Sequence, residues 1–219
     1  MFPVSDVIPS RTVPFVTVGL IVVNALVFLY QLTLGMPELQ VFIATYAVIP
    51  AEFWAPSLVT SQFLHAGWMH IIWNMVYLWI FGDNVEDRLG HVRYLIFYLG
   101  AGAAAGLLQV LFSPFSNVPM VGASGAIAGV MGAYFVVYPQ SRVLTAVFVF
   151  FFFDLVEIPA VFFLGIWFLM QLVSGVGSLG LKSATGGTAF WAHVGGFVVG
   201  VAVGLLLRWR TRQQQWISY

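Results

Sequence analysis

A serine and a histidine stand beside glycines in two long apolar segments of this chain. Ser124 lies in the sequence GASG at 122–125, and His193 is followed by Gly196 and Gly200. A serine hydroxyl becomes a nucleophile when a neighbouring base takes its proton, and neutral imidazole suits that task near pH 7. The two residues therefore predict acyl transfer by a Ser–His dyad.

Acyl transfer also needs hydrogen-bond donors aimed at the oxyanion of the tetrahedral intermediate. His70 and Asn74 are four residues apart and so share one face of a predicted helix. Together with the backbone N–H of Ser124 they form the predicted oxyanion site. Gly122 and Gly125 are expected to leave the backbone around Ser124 uncovered, so that a peptide carbonyl can approach it.

The composition indicates the environment in which this chemistry takes place. Of 219 residues, 61% are hydrophobic and 7% are charged, and the mean hydropathy is +0.97, whereas soluble domains carry about 25% charged residues. Eight Lys and Arg against eight Asp and Glu leave no basic patch for nucleic acid. The chain has no Cys for disulfides or thiolate metal sites. These numbers predict a polytopic membrane protein in a lipid bilayer, with no cofactor, no metal and no nucleic-acid partner.

Six apolar runs approach the length of about 20 residues that a membrane-spanning helix needs. The predicted fold is an all-α polytopic membrane protein, a single domain over 1–219 that retains its first span rather than losing a signal peptide. The long loop 35–64 is expected in the outer interface, either as a side wall of the site or a substrate contact, or as an interfacial anchor. The run 143–153 is half a span long and is interpreted as a re-entrant or interfacial segment. The predicted spans are 13–34, 66–82, 92–112, 121–139, 158–175 and 189–207.

The basic residues predict how these spans are oriented. Six spans place both termini on one side, and seven of the eight basic residues fall on that side, with only Lys182 opposite. The positive-inside rule then makes both termini cytoplasmic and directs the site toward the outer face, in what we expect to be a prokaryotic plasma membrane. The seven are Arg11, Arg88, Arg93, Arg142, Arg208, Arg210 and Arg212.

Most acidic residues fall away from the predicted site. Many soluble serine hydrolases use an acid to orient the histidine. Here five acidic residues fall toward the cytoplasmic side and two lie in the first outer loop, so we expect a dyad without an acid. They are Asp83, Glu86, Asp87, Asp154 and Glu157, and then Glu38 and Glu52.

The polar residues of the site are predicted to share one depth. Spans 2, 4 and 6 enter from the outer side and carry them within their first two turns, roughly 5–12 Å below the boundary at 1.5 Å per residue. Small residues three or four positions apart let helix backbones approach closely in lipid. Gly196 and Gly200 share a face with His193, and span 4 carries a similar glycine face beside Ser124. Packing alone would explain the glycines, but it would not explain the aligned serine and histidine.

Three motifs resemble those of the rhomboid family of intramembrane serine proteases. The nucleophile motif GxSG of that family resembles GASG at 122–125. The sixth span of the family resembles AHVGG at 192–196, and its HxxxxHxxxN signature resembles the stretch with His65, His70 and Asn74. The three motifs occur in the family's order on the corresponding spans, so the resemblance covers nearly the whole chain.

The resemblance implies roles for the matched residues. Ser124 would be the nucleophile and His193 the general base, while His70, Asn74 and the N–H of Ser124 would bind the oxyanion. His65 would brace the first outer loop. Family members are endopeptidases that cleave single-pass membrane proteins within or beside the transmembrane segment, so such proteins are the expected substrates.

Two positions depart from the family pattern. Ala128 stands where many relatives carry an aromatic ring under the base, and Tyr134 and Tyr138 lie deeper in the span. Which residue packs against His193 in place of that ring therefore stays open. Trp54 is followed by Ala55 rather than by an arginine, which affects the packing of the first outer loop.

Other functions stay open at this point. A catalytically inactive rhomboid-like protein would bind transmembrane helices without cutting them, although that branch typically lacks the serine or the histidine. A haem or metal protein could use His70 and His193 as ligands, but no acid or thiol would supplement them. A transporter would need a coupling charge within its spans. Span 5 with the loop 176–188 is the predicted mobile element.

Overall fold

The computed structural model describes residues 2–149, 152–178 and 189–217, and helices predominate in them. Lys182 and most of the predicted mobile loop 176–188 lie outside the described residues. The helices are α1 (Phe15–Thr33), α2 (Met36–Tyr46), α3 (Ser57–Thr60), α4 (Trp68–Leu89), α5 (His91–Phe112), α6 (Ser124–Val137), α7 (Ala160–Ser178) and α8 (Phe190–Ile217). The strands are β1 (Phe2–Asp6), β2 (Arg142–Val149) and β3 (Phe152–Pro159).

Four helices are long and apolar enough to cross a membrane. They are α1, α5, α7 and the part of α8 over Phe190–Arg210, and they match four of the predicted spans. The other two predicted spans are also helical, but α4 carries charged residues in its last two turns, and α6 has 14 residues, about 21 Å of helix. The multi-pass membrane fold is therefore confirmed, and the number of six crossings stays a prediction.

Helix α6 occupies the centre of the bundle. Nearly all of its side chains are buried, and it contacts α4, α5, α7 and α8. It carries no charged residue and has no polar face, and such a helix is typically surrounded by other helices. Because α6 contacts α4, α5, α7 and α8, its side chains can meet residues from several helices.

The prediction of an all-α fold is wrong in one region, where three strands form an antiparallel sheet in the order β1-β2-β3. Phe2 lies opposite Ala146, and Arg142 lies opposite Pro159. The run 143–153, interpreted as a re-entrant or interfacial piece, forms most of β2 and the beginning of β3. A short apolar run fits a buried strand as well as half a span, and β-branched and aromatic residues favour the strand.

The N-terminal segment follows α4 along the side of the bundle. The ring of Phe2 stacks on Trp73 with centroids 5.0 Å apart. Further along, Asn84 Nδ2 donates to the carbonyl of Ile8 at 3.2 Å, and the N–H of Arg11 donates to Asp87 at 2.6 Å. This segment therefore covers α4 from its early turns to its last turn.

Glu86 fixes the start of α1 at the end of α4. Its buried carboxylate accepts hydrogen bonds from the N–H groups of Val16 and Thr17 at 2.9 and 2.8 Å, and it lies 2.6 Å from Nδ1 of His91. The first N–H groups of a helix have no partner within the helix and favour a negative charge. Glu86 is sixteen residues, about 24 Å of helix, from His70, so this cluster ties the helices together far from the candidate site.

Candidate active site

The glycine faces of α6 and α8 meet directly. A methyl group on Gly196 would collide with the carbonyl of Gly125, and one on Gly200 would collide with the carbonyl of Gly129. The atoms in the way belong to the backbone, so no side-chain rotation could make room. Glycine at these positions lets the two helix backbones touch, and that contact sets the distance between the polar residues at the ends of the helices.

Ser124 and His193 lie within hydrogen-bond distance. Oγ of Ser124 is 2.8 Å from Nε2 of His193. His193 is in the first turn of α8, as predicted, whereas Ser124 is the first residue of α6 rather than lying inside a span that begins at 121.

Gly122 shapes the turn that leads into α6. Its φ of +119° lies in a region that favours glycine, and a Cβ at this position would lie 2.6 Å from Nε2 of His70. Its N–H donates to the carbonyl of Ser61 at 2.9 Å, so the loop 35–64 holds this turn. Gly125 permits close packing of α6 on α5, since a Cβ there would lie 2.7 Å from that of Ala105.

Two side chains of α4 offer hydrogen-bond donors beside Gly122, two residues before Ser124. The N–H of Ala66 donates to Nδ1 of His70 at 3.4 Å, which assigns the proton of the neutral ring to Nε2, the atom nearest Gly122. Asn74 is buried, and its Nδ2 has no hydrogen-bond partner among the described residues. Buried donors of this kind are nearly always satisfied, so an amide left free at a cavity can serve a ligand.

His65 lies behind this pair. Its backbone N–H and carbonyl bind the side-chain amide of Gln31 at 3.0 and 3.1 Å, and its ring packs edge-on to that of His70 with centroids 5.1 Å apart. Burial, helped by the neighbouring His70, lowers the pKa of His65 to about 4, so the ring is neutral at pH 7. The contacts attach the end of the first long loop to α1.

Two residues of α7 that the sequence reasoning missed contact His193. Oε1 of Gln171 is 2.8 Å from Nδ1 of His193, and the Trp167 ring packs on the imidazole with centroids 5.7 Å apart. Trp167 thus provides an aromatic contact to the base although Ala128 does not. The sequence did contain a signal for these residues, namely a glutamine inside an apolar span, one turn after a tryptophan. Polar groups at membrane depth are costly and often functional, so such a glutamine is a candidate site residue.

One cavity of about 1440 Å³ is lined by Ser124, His193, His70, Asn74 and Trp167. Its walls come from the loop 35–64, α4, α5, α6, α7, α8 and the segment before α6, and neither Asp nor Glu is among the described residues that line it. No group of three or more metal-binding side chains gathers in the described part of the chain. A hydroxyl beside an imidazole, with free donors near it and space for an extended peptide, is an arrangement suited to acyl transfer.

Comparison with known proteins shows the family to which the chain belongs. Residues 50–210 match the Rhomboid domain family. The chain is 26% identical over 193 residues to Rhomboid protein 1, mitochondrial, of Saccharomyces cerevisiae, covering 85% of this chain and 51% of that protein. It is 34% identical over 120 residues to Rhomboid protease GluP of Bacillus subtilis, covering 52% and 23% of the two chains. It is 31% identical over 150 residues to RHOMBOID-like protein 6, mitochondrial, of Arabidopsis thaliana, covering 68% and 43%.

The chain belongs to the rhomboid family, a family of membrane proteins that includes proteases. The prediction of this family from three short motifs is confirmed. The chain spans about half or less of the length of these three relatives.

Proposed function

We propose that the protein is an intramembrane serine endopeptidase that hydrolyses peptide bonds in or next to the transmembrane segments of single-pass membrane proteins. The observation that carries this proposal is the 2.8 Å separation of Ser124 Oγ and His193 Nε2 in a cavity that also holds the unpartnered amide nitrogen of Asn74 among the described residues. A relative whose name includes the word protease supports the same chemistry.

In the first half of the reaction, Ser124 Oγ attacks the scissile carbonyl carbon while its proton passes to Nε2 of His193. The new C–O bond forms as the carbonyl π electrons move onto oxygen. Nδ2 of Asn74, Nε2–H of His70 and the N–H of Ser124 donate to that oxyanion. The C–N bond then breaks, and His193 gives its proton to the departing amine, which leaves an acyl-enzyme.

In the second half, His193 takes a proton from water, and the hydroxyl adds to the acyl carbon. The intermediate collapses with cleavage of the bond to Oγ, and the proton returns from His193 to Ser124. The peptide leaves with a new carboxyl terminus, and the enzyme is regenerated. No step requires a carboxylate or a metal ion.

We also propose that six helices cross the membrane, with both termini on the cytoplasmic side and the site near the other face. Arg208 donates to the carbonyl of Val136 at 3.3 Å, at the end of α6 opposite Ser124, and Arg11 is held near the end of α4 by Asp87. Arginines at that end support this orientation through the positive-inside rule. A prokaryotic plasma membrane stays a prediction, since the relatives include proteins named mitochondrial and one from Bacillus subtilis.

The test reconstitutes the full chain in liposomes with a single-pass test substrate. Ser124→Ala and His193→Ala should each abolish cleavage, and Ser124→Ala should also abolish labelling by a fluorophosphonate probe. Ser141→Ala and His91→Gln are matched controls, because these residues hydrogen-bond elsewhere, to Tyr134 and Glu86. Both controls should retain cleavage.

Undiminished cleavage by either dyad variant would refute the proposal. A folded wild-type protein that retains the substrate, cleaves nothing and takes no probe would instead identify an inactive binder of transmembrane helices.

A further inference from the structure

We infer that Gln171 is a positioning residue that holds the imidazole of His193 in its productive tautomer. The inference deepens the proposed function and rests on it. It assigns a third member to a site that the sequence predicts to be a dyad without an acid.

The hydrogen bonds around the imidazole determine which nitrogen carries the proton. In the structure the amide of Gln171 presents Oε1 to Nδ1 of His193 at 2.8 Å, and an oxygen only accepts, so this contact assigns the ring proton to Nδ1. In the neutral ring this leaves the Nε2 lone pair free to accept the hydroxyl proton of Ser124, also at 2.8 Å. The opposite tautomer would point an N–H at the nucleophile and could not act as the base.

A glutamine suits this position better than an acid would in this environment. The site lies between helices of a membrane protein, where an ionised carboxylate is costly to bury and a neutral amide costs far less. Glutamine still provides an oxygen that accepts from Nδ1. It therefore orients the base without adding a charge, in accord with the absence of Asp and Glu from the described cavity lining.

Both contacts to the base come from one face of α7, since Trp167 and Gln171 are four residues apart. One face of α7 therefore supplies both the hydrogen bond and the ring contact that position the imidazole.

The test compares Gln171→Met, which keeps the length of the side chain but removes the acceptor, with Gln171→Glu, which keeps an acceptor oxygen. Gln171→Met should lower kcat at least tenfold with little change in KM, because general-base catalysis supplies about 10²–10⁴-fold. Gln171→Glu should recover most of that loss. Asn24→Leu is the control, since it removes a buried side-chain amide that donates to the carbonyl of Leu20 within α1, away from the base, and it should keep the wild-type kcat.

A second readout does not depend on activity. Nitrogen-15 NMR of histidine-labelled protein, which has four histidines, should show the Nδ1–H form of His193 in the wild type and its loss in Gln171→Met. An unchanged kcat in Gln171→Met, or a wild-type His193 that carries its proton on Nε2, would overturn the inference. If the wild type cleaves nothing, the proposed function fails, while the NMR result still decides whether Gln171 sets the tautomer.

Discussion

Gly196→Ala tests whether the contact between α6 and α8 sets the geometry of the candidate site. Gly196 is three residues from His193, and the added methyl would meet the backbone of Gly125, the residue next to Ser124. The atoms that oppose the methyl are a backbone carbonyl and the Cβ of Ala128. None of them can rotate away, so the two helices have to separate.

The magnitude of that separation follows from the distances. The new Cβ would lie 3.0 Å from the carbonyl carbon of Gly125, whereas carbon atoms pack at about 3.5–4.0 Å. The carbonyl oxygen of Gly125 lies closer still, so the helices would have to move apart by at least about 0.5–1 Å. The same shift would extend the 2.8 Å contact between Ser124 and His193 to roughly 3.3–3.8 Å, beyond the usual hydrogen-bond range.

We expect Gly196→Ala to lower the cleavage rate by about 10²-fold, as 1 Å misplacements can in enzymes. Overpacking of this kind should also lower the free energy of unfolding by about 1–3 kcal/mol. Cleavage in liposomes and thermal unfolding in detergent measure the two effects. The control is Gly100→Ala on α5, where a Cβ meets nothing within 4 Å and an alanine should favour the helix. Wild-type cleavage and stability in Gly196→Ala would refute the argument.

Three further predictions concern other residues of the site and the bundle. Asn74→Ala should lower kcat by about 10²–10³-fold with a small change in unfolding temperature, because its Nδ2 binds no other described residue; an unchanged kcat would contradict its oxyanion role. His65 alone should contribute a fall of about 3 kcal/mol in the free energy of unfolding as the pH drops from 6.5 to about 4. Burial lowers the pKa of His65 to about 4 in the folded protein, so over this range the unfolded chain takes up a proton that the folded protein does not. Thermal unfolding at each pH checks this, and His65→Gln should remove that part of the dependence; parallel curves for the two proteins would show that it does not arise there. Glu86→Ala should lower the free energy of unfolding by at least about 2 kcal/mol, since it leaves the first N–H groups of α1 unpaired, and an unaltered unfolding temperature would argue against that role.

The residues placed together in the candidate site were recognisable before any coordinates, because Ser124, His193 and Asn74 are polar in segments that are otherwise apolar. Such residues are rare at membrane depth and stand out against the background. The glycine spacing on two spans also indicated which helices would touch. The structure brings Ser124 and His193 within 2.8 Å, at the junction that this spacing indicated.

The strands were not predictable in the same way. The run 143–153 is apolar throughout, and a continuous apolar run lacks the alternation that distinguishes a half-buried strand from a helix. Its pairing with Phe2–Asp6 joins residues about 140 positions apart, and the short N-terminal segment gives no local signal of that partner. Strand pairing depends on which segments lie side by side in the folded chain, and the sequence does not show this directly, so the sheet was not predicted.

The amino-acid sequence by itself determined that the chain lies in a membrane, which family its motifs resemble, and which side chains could do chemistry. Those conclusions depend on residue types and on spacing within short windows. Only the tertiary structure decided that Gln171 and Trp167 support His193, and that α6 begins at Ser124. Gln171 and His193 are 22 positions apart in the sequence, and Ser124 and His193 are 69 apart. Contacts over such separations depend on how whole helices pack, and a pattern within a short window of sequence does not contain that information.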